Sequence, residues 1–158
     1  MSRPPVSETL RPGDLDPAPV AGLLGYQLAQ ATIPTNQVFK ANIEQGFNLN
    51  KLEFTTVMLL SANQQVTPKR LALALNIPSS NLTLLLDRLE QRGVLLRERS
   101  DADRRVQHVQ LTPAGEALVR EVQRTTATME QSLLSDLSAA ERSTLFALLA
   151  RIAQRRQP

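Results

Sequence analysis

A chain of 158 residues with 42% hydrophobic content can bury one core and is too short for two independent ones. Its net charge is only +3, so affinity for an anionic partner must come from local clusters and not from overall charge. The absence of cysteine excludes disulfides, thiolate metal sites and thiol redox sensing, and no apolar run approaches the ~18 residues of a membrane span. The proline-rich start lacks a signal-peptide core, so a soluble cytoplasmic protein without cofactor is expected.

Residues 1–14 hold Pro4, Pro5, Pro12 and Gly13 without apolar periodicity and read as a flexible arm. Asp16 as N-cap, with Pro17 just inside, predicts a long helix to about Gly46. Val20, Leu23, Leu24, Leu28, Ala31, Val38, Phe39 and Ile43 keep helical spacing along it, and Pro34 should kink it or split it in two. Leu49-Asn50 reads as the cap of a helix over Lys51–Asn63, and Thr67-Pro68 as the cap of a short one over Lys69–Leu75. After the turn Asn76-Ile77-Pro78, Ser79 or Ser80 caps a helix to Arg92 whose Leu82, Leu85, Leu86 and Leu89 fall at i, i+3, i+4 and i+7. Two short helices joined by a tight turn make a helix-turn-helix.

Gly93 separates that unit from a strand, Val94–Arg99, followed by a polar turn with Arg104 and Arg105 and an alternating strand, Val106–Leu111. Thr112-Pro113-x-Gly115-Glu116 then reads as the cap and first turn of a new helix. Helix, glycine, strand, basic turn, strand, helix is the order of a winged helix. Arginines at a hairpin tip suit DNA; the bland alternative is a solvated turn in which Asp101 and Asp103 offset Arg104 and Arg105.

Pro113–Leu134 and Ala139–Arg155 close the chain as amphipathic helices, the second with a Ser138-x-x-Glu141 capping box. Leu145, Leu148, Leu149 and Ile152 form an apolar stripe that a small winged domain cannot cover. Pairing with a second copy is favoured over an intramolecular bundle. The expected fold is mainly α with a small two- or three-stranded β-wing: a winged helix-turn-helix with N- and C-terminal dimerisation helices. The parts are an arm over 1–14, an N-terminal dimerisation helix region over 15–48, the winged helix-turn-helix over 49–112 and C-terminal dimerisation helices over 113–158. His108, the single histidine, alternates with Val109 and should be exposed, with no metal cluster around it. No glycine-rich phosphate loop, nucleophile–base pair or apolar carboxylate pair supports an enzyme.

The segment from Leu49 to Gly115 resembles the MarR-type winged-helix transcription regulators. The resemblance rests on the helix-turn-helix, the run Asp87-Arg88-Leu89-Glu90-Gln91-Arg92-Gly93, and the wing pattern Asp103-x-Arg105…Leu111-Thr112-x-x-Gly115. It implies a homodimeric repressor that binds a pseudo-palindromic double-stranded operator and releases it when a small molecule binds, often an anionic aromatic one. Two other readings stay open: a winged-helix module for protein or RNA interaction, and a constitutive DNA-binding factor without a sensor.

On this chain the resemblance makes Ser79–Arg92 the recognition helix. At ~100° per residue the leucine stripe turned inward leaves Ser80, Leu84, Asp87 and Gln91 outermost, with Thr83 and Arg88 on the flanks. Ser79, Ser80 and Asn81 lie where free amides favour phosphate, and Thr83 and Arg88 can reach groove edges or backbone. Leu84 departs from the basic or polar residue that many relatives carry; it either packs on a thymine methyl or joins the core. Arg105 matches the arginine that relatives insert into the minor groove, with Arg99 and Arg104 as phosphate partners and Asp103 orienting an arginine or capping the turn. Lys69 and Arg70 are secondary phosphate candidates or simply solvated. For the effector pocket, between dimerisation helices and winged domain, the candidates are Tyr26, Gln30, Asn36, Lys40 and Phe54, each of which could equally be surface or core.

Overall fold

The computed structural model describes residues 15–99 and 106–155. The arm over 1–14 and the wing tip over 100–105, with Asp103, Arg104 and Arg105, lie outside the described residues, as do 156–158.

The first helix starts later than its sequence predicts. Asp16 Oδ1 accepts from the Ala18 amide at 2.9 Å and 17–23 form hydrogen-bonded turns, but α1 (Leu24–Phe39) begins only beyond Gly22. Pro17, Pro19 and Gly22 crowd the expected first turns with residues that lack an amide proton or favour the coil. Pro34 does not split the helix. Thr35 Oγ1 donates to the carbonyls of Ala31 at 3.1 Å and Thr32 at 3.0 Å, and Thr32 Oγ1 to that of Leu28 at 2.7 Å. The irregularity comes after it, as a π turn over Lys40–Glu44, before α2 (Gln45–Phe47) ends at Asn48 in the left-handed region, φ 53°.

Asn50 caps α3 (Lys51–Ala62) in a full capping box: its side chain accepts from the Glu53 amide at 3.0 Å, and Glu53 Oε2 accepts from the Asn50 amide at 3.0 Å. Thr67 caps α4 (Pro68–Leu75), which ends at Asn76, again left-handed with φ 53°. Neither Ser79 nor Ser80 caps α5 (Ser79–Gln91), contrary to expectation; the N-cap is Pro78, without a side-chain bond. Its ring fixes φ at −59°, and its carbonyl accepts from the Leu82 amide at 3.1 Å, so backbone geometry starts the helix and the serine hydroxyls stay uncommitted to the cap.

Gly93, at φ +68°, turns the chain out of α5 into β1 (Leu95–Arg99), which pairs antiparallel with β2 (Gln107–Leu111). Leu95 faces Leu111 and Arg99 faces Gln107 in this register. Val66 adds a single bridge to Val109, its carbonyl accepting from the Val109 amide at 2.8 Å, so the wing has two strands and one bridging residue. Thr112 caps α6 (Pro113–Met129), which gives way to turns short of the expected Leu134, and Ser138 with Glu141 forms the capping box of α7 (Ala139–Ala153).

Leu82, Leu85, Leu86 and Leu89 of α5 meet Val57 and Leu60 of α3, Leu71 of α4, Leu95, Val109 and Val119 and Val122 of α6 in one core. By contrast α1 and α7 contribute no buried residue. Leu24, Leu28 and Ile33 of the first and Leu145, Phe146, Leu148 and Ile152 of the last are exposed.

Candidate nucleic-acid interface

The leucine spacing of α5 buries one face and leaves the other open. Ser79, Ser80, Asn81, Thr83, Leu84, Arg88 and Gln91 are exposed, as helical geometry demands once Leu82, Leu85, Leu86 and Leu89 turn inward. Leu84 is 65% exposed, which decides against its joining the core. Thr83 Oγ1 donates to the Ser79 carbonyl at 3.0 Å.

Asp87, expected outermost, is half-buried and bound. Arg97 Nη2 donates to Asp87 Oδ1 at 2.6 Å, while its Nε donates to Glu90 Oε2 at 3.0 Å, its amide to Glu90 Oε1 at 3.2 Å, and Nη2 again to Glu90. One arginine on β1 thus clamps two carboxylates on successive turns of α5, fixing the wing against the helix. The hydrogen bonds from Arg97 hold the Glu90 carboxyl below its ordinary value and raise Arg97 in turn. The clamp's stabilisation is complete above the ordinary carboxylate value and is lost as pH falls through the depressed one. Arg97→Ala is therefore expected to weaken sequence-specific binding at neutral pH and to remove the wild type's extra loss of stability below about pH 4, measured by thermal melts across pH. Equal acid sensitivity of mutant and wild type would refute the clamp.

On the opposite flank Glu53 is 6% exposed and answers Arg88 of α5 and Arg92 at its C-cap. Arg88 Nε lies 3.6 Å from its Oε1, and Arg92 Nη1 lies 3.9 Å from its Oε2. Arg92 also donates to the carbonyls of Asn48 at 2.8 Å and Phe47 at 3.2 Å, tying the end of α2 to the end of α5. The Arg88 side chain remains 59% exposed, so its outer edge is open to a ligand. Sequence reasoning missed Glu53, Arg92 and Arg97. The spacing Asn50-x-x-Glu53 carried a readable signal for the first; the clamp carried none, because its partners lie on different elements.

Arg99 is exposed at the end of β1, and Lys69 and Arg70 are exposed in the first turn of α4, where Arg70 Nη1 approaches the Gln65 carbonyl at 3.5 Å. His108 departs from expectation: it is half-buried, and its Nδ1 is shut off from solvent without a hydrogen-bond partner among the described residues. A short twisted hairpin against helices does not hold a strict inside and outside.

The effector candidates do not gather equally. Phe54 packs edge-to-face on Phe39, ring centroids 5.4 Å apart, and Asn36 Oδ1 accepts from Lys51 Nζ, so these two sit at the seam of α1 and α3. Gln30 and Tyr26 stand about 9 and 15 Å further along α1, and Gln30 and Lys40 are exposed. An open polar groove of about 680 Å³ between the end of α3, β2 and α6, lined by Gln64, Gln110 and Arg120 among others, includes none of the five. Among the described residues no group of three or more His, Cys, Asp or Glu is placed to hold a metal, and no helix is long and apolar enough to cross a membrane.

The sequence model of the MarR family matches residues 49–106, from the cap of α3 into the wing. The HTH-type transcriptional regulator PecS of Dickeya dadantii is 34% identical over 142 residues, 88% of this chain and 82% of that protein. The transcriptional repressor CouR, solved bound to a 23-mer DNA duplex, superposes with a TM-score of 0.81 at 32% identity, covering 89% of this chain and 99% of that one. BpsR of Bordetella bronchiseptica, solved to explain regulation of its DNA binding by 6-hydroxynicotinic acid, gives 0.77 at 26% identity over 87% and 97% of the two chains. With one relative a third identical along most of both chains and the same winged architecture throughout, the chain belongs to the MarR family of transcriptional regulators.

Proposed function

We propose that this regulator is a cytoplasmic homodimeric repressor that grips a pseudo-palindromic operator and lets go when a small anionic aromatic compound binds. The observation that carries the DNA reading is the exposed face of α5, from Ser79 to Gln91, held in fixed relation to the wing by Arg97. In this reading α5 enters the major groove, where Ser79, Ser80 and Asn81 meet phosphate at its start, Thr83 and Leu84 face base edges, and Arg88 reaches an edge or the backbone. Arg105 enters the adjacent minor groove, with Arg99 and Arg104 on phosphates. Residues 49–112 form the DNA-binding unit, and 15–48 with 113–158 the dimer core. Its role is binding and not catalysis.

Lys69 and Arg70 support a phosphate role on electrostatic grounds. A helix N-terminus disfavours cations, and a phosphate oxygen beside the first turn of α4 turns that cost into attraction. Lys69→Ala is expected to weaken binding to all duplexes alike and to lower the salt slope by roughly one unit, whereas Arg105→Ala costs ~1–3 kcal/mol on the specific site. Equal effects of both changes on specific and random DNA would reverse these roles.

The ligand reading draws on BpsR, whose DNA binding is regulated by the aromatic carboxylic acid 6-hydroxynicotinic acid. Asn36, Lys40 and Phe54 near the α1–α3 seam, with Tyr26 and Gln30 further along α1, are the residues proposed for it. Fluorescence anisotropy against DNA upstream of the chain's own gene tests the whole scheme, followed by titration of that complex with aromatic carboxylates. Tight binding that no carboxylate reverses leaves a constitutive factor; no binding defeats the reading.

A further inference from the structure

We infer that Leu84 reads the C5 methyl of a thymine, so that each operator half-site carries a T·A pair opposite the middle of α5; the inference rests on the DNA-binding reading above. Leu84 stands on the exposed face of α5, one turn beyond Ser80 and one turn before Arg88. It is 65% exposed, so the folded chain leaves it largely uncovered.

Its neighbours are partly engaged within the chain. Arg88 leans on the buried Glu53, 3.6 Å away, and Asp87 is held by Arg97 of the wing at 2.6 Å. The Thr83 hydroxyl gives its proton to the Ser79 carbonyl at 3.0 Å, so towards a base it can only accept. Between Ser80 and Arg88 the outermost side chain of the helix is therefore aliphatic, flanked by an acceptor at Thr83.

Leucine has neither donor nor acceptor. Pressed against guanine O6 and N7, cytosine N4 or adenine N6, it strips water from a polar group and returns no hydrogen bond, which costs affinity. The thymine methyl is the one apolar group on the major-groove floor, and burying it against Leu84 removes apolar surface from water on both sides. Selectivity at this position thus comes from what the leucine cannot satisfy as much as from what it touches.

The test begins by selecting duplexes with the full wild-type chain from a library with a random core of about 20 base pairs. The winning duplex is then remade with deoxyuridine in place of thymine, one symmetric pair of positions at a time. Uracil pairs as thymine does and lacks only the methyl. At one pair of positions the wild type should bind about fourfold more weakly per half-site, hence about 10- to 20-fold for the dimer. Leu84→Ala should bind the thymine and uracil duplexes alike, and since Leu84 is largely exposed the variant should fold. Indifference of the wild type to every uracil substitution, or full methyl sensitivity retained by Leu84→Ala, would overturn the inference. If no duplex is enriched at all, the DNA-binding reading itself falls, and Leu84 becomes a contact for another protein.

Discussion

A chain ended after Ser143 is expected to lose operator binding by ~10²–10⁴-fold and to behave as a monomer or an insoluble aggregate. The cut removes Leu145, Phe146, Leu148 and Ile152, all of them exposed on α7, which buries no residue among those described. Each such side chain gains ~1.5–3 kcal/mol when fully withdrawn from water, so the stripe is costly left wet and adhesive when met by its copy. The apolar residues of α1, Leu24, Leu28 and Ile33, pose the same problem at the other end of the chain. Two half-sites joined through such a core bind as one ligand, and separation returns each to the weak affinity of a single winged domain. Sedimentation and anisotropy together measure the outcome. Leu148→Glu with Ile152→Glu keeps the chain at full length and guards against a truncation that merely misfolds. A soluble monomer that still held the full operator as tightly as wild type would defeat the dimer.

The elements that were legible in the sequence are those fixed by local chemistry. The cap at Asn50, the pair Ser138 with Glu141, the turn at Asn76 and the four-leucine stripe of α5 each encode their geometry within a few residues. Of the two outcomes expected at Pro34, a split does not occur, because the threonines around it and an exposed helix face let the chain continue. The cap of α5 was misassigned for a related reason: a rigid Pro78 can open a helix without any hydroxyl. In the candidate interface the outward residues of α5 followed from periodicity. The ion pairs did not. Asp87 looked free at 100° per residue and is instead held by an arginine that the hairpin carries back across it. Glu53 belongs to α3 in sequence and to the arginines of α5 in space. Such contacts depend on the angle between elements, which no window of residues specifies.

Gly115→Ala is expected to destabilise the fold by about 3–5 kcal/mol, a large share of the ~5–15 kcal/mol that holds a domain together. A Cβ at this position would lie 1.9 Å from the carbonyl oxygen of Val94 and 3.0 Å from its carbon, with Leu111 Cδ2 at 3.3 Å behind. Backbone at 1.9 Å, with a half-buried leucine also close, leaves the methyl no space, so α6 or the chain entering β1 must move. That carbonyl is itself engaged: it accepts from the Thr112 amide at 3.1 Å, while Thr112 Oγ1 donates chiefly to the neighbouring Gly93 carbonyl at 2.5 Å and accepts from the Gly115 amide at 3.0 Å as the helix cap. Displacement adds lost hydrogen bonds of ~1 kcal/mol each, and a weakened cap, to ~1–3 kcal/mol of overpacking. The junction also sets where the wing stands relative to α5, so the variant should lose operator affinity beyond what its unfolded fraction explains. Gly46→Ala is the control, since nothing lies within 4 Å of its would-be Cβ and alanine favours a helix over glycine. Urea unfolding of the two variants should move in opposite directions. A Gly115→Ala protein as stable as wild type would mean that α6 does not cross the start of β1 at this distance, and the route from dimer core to wing would have to be redrawn.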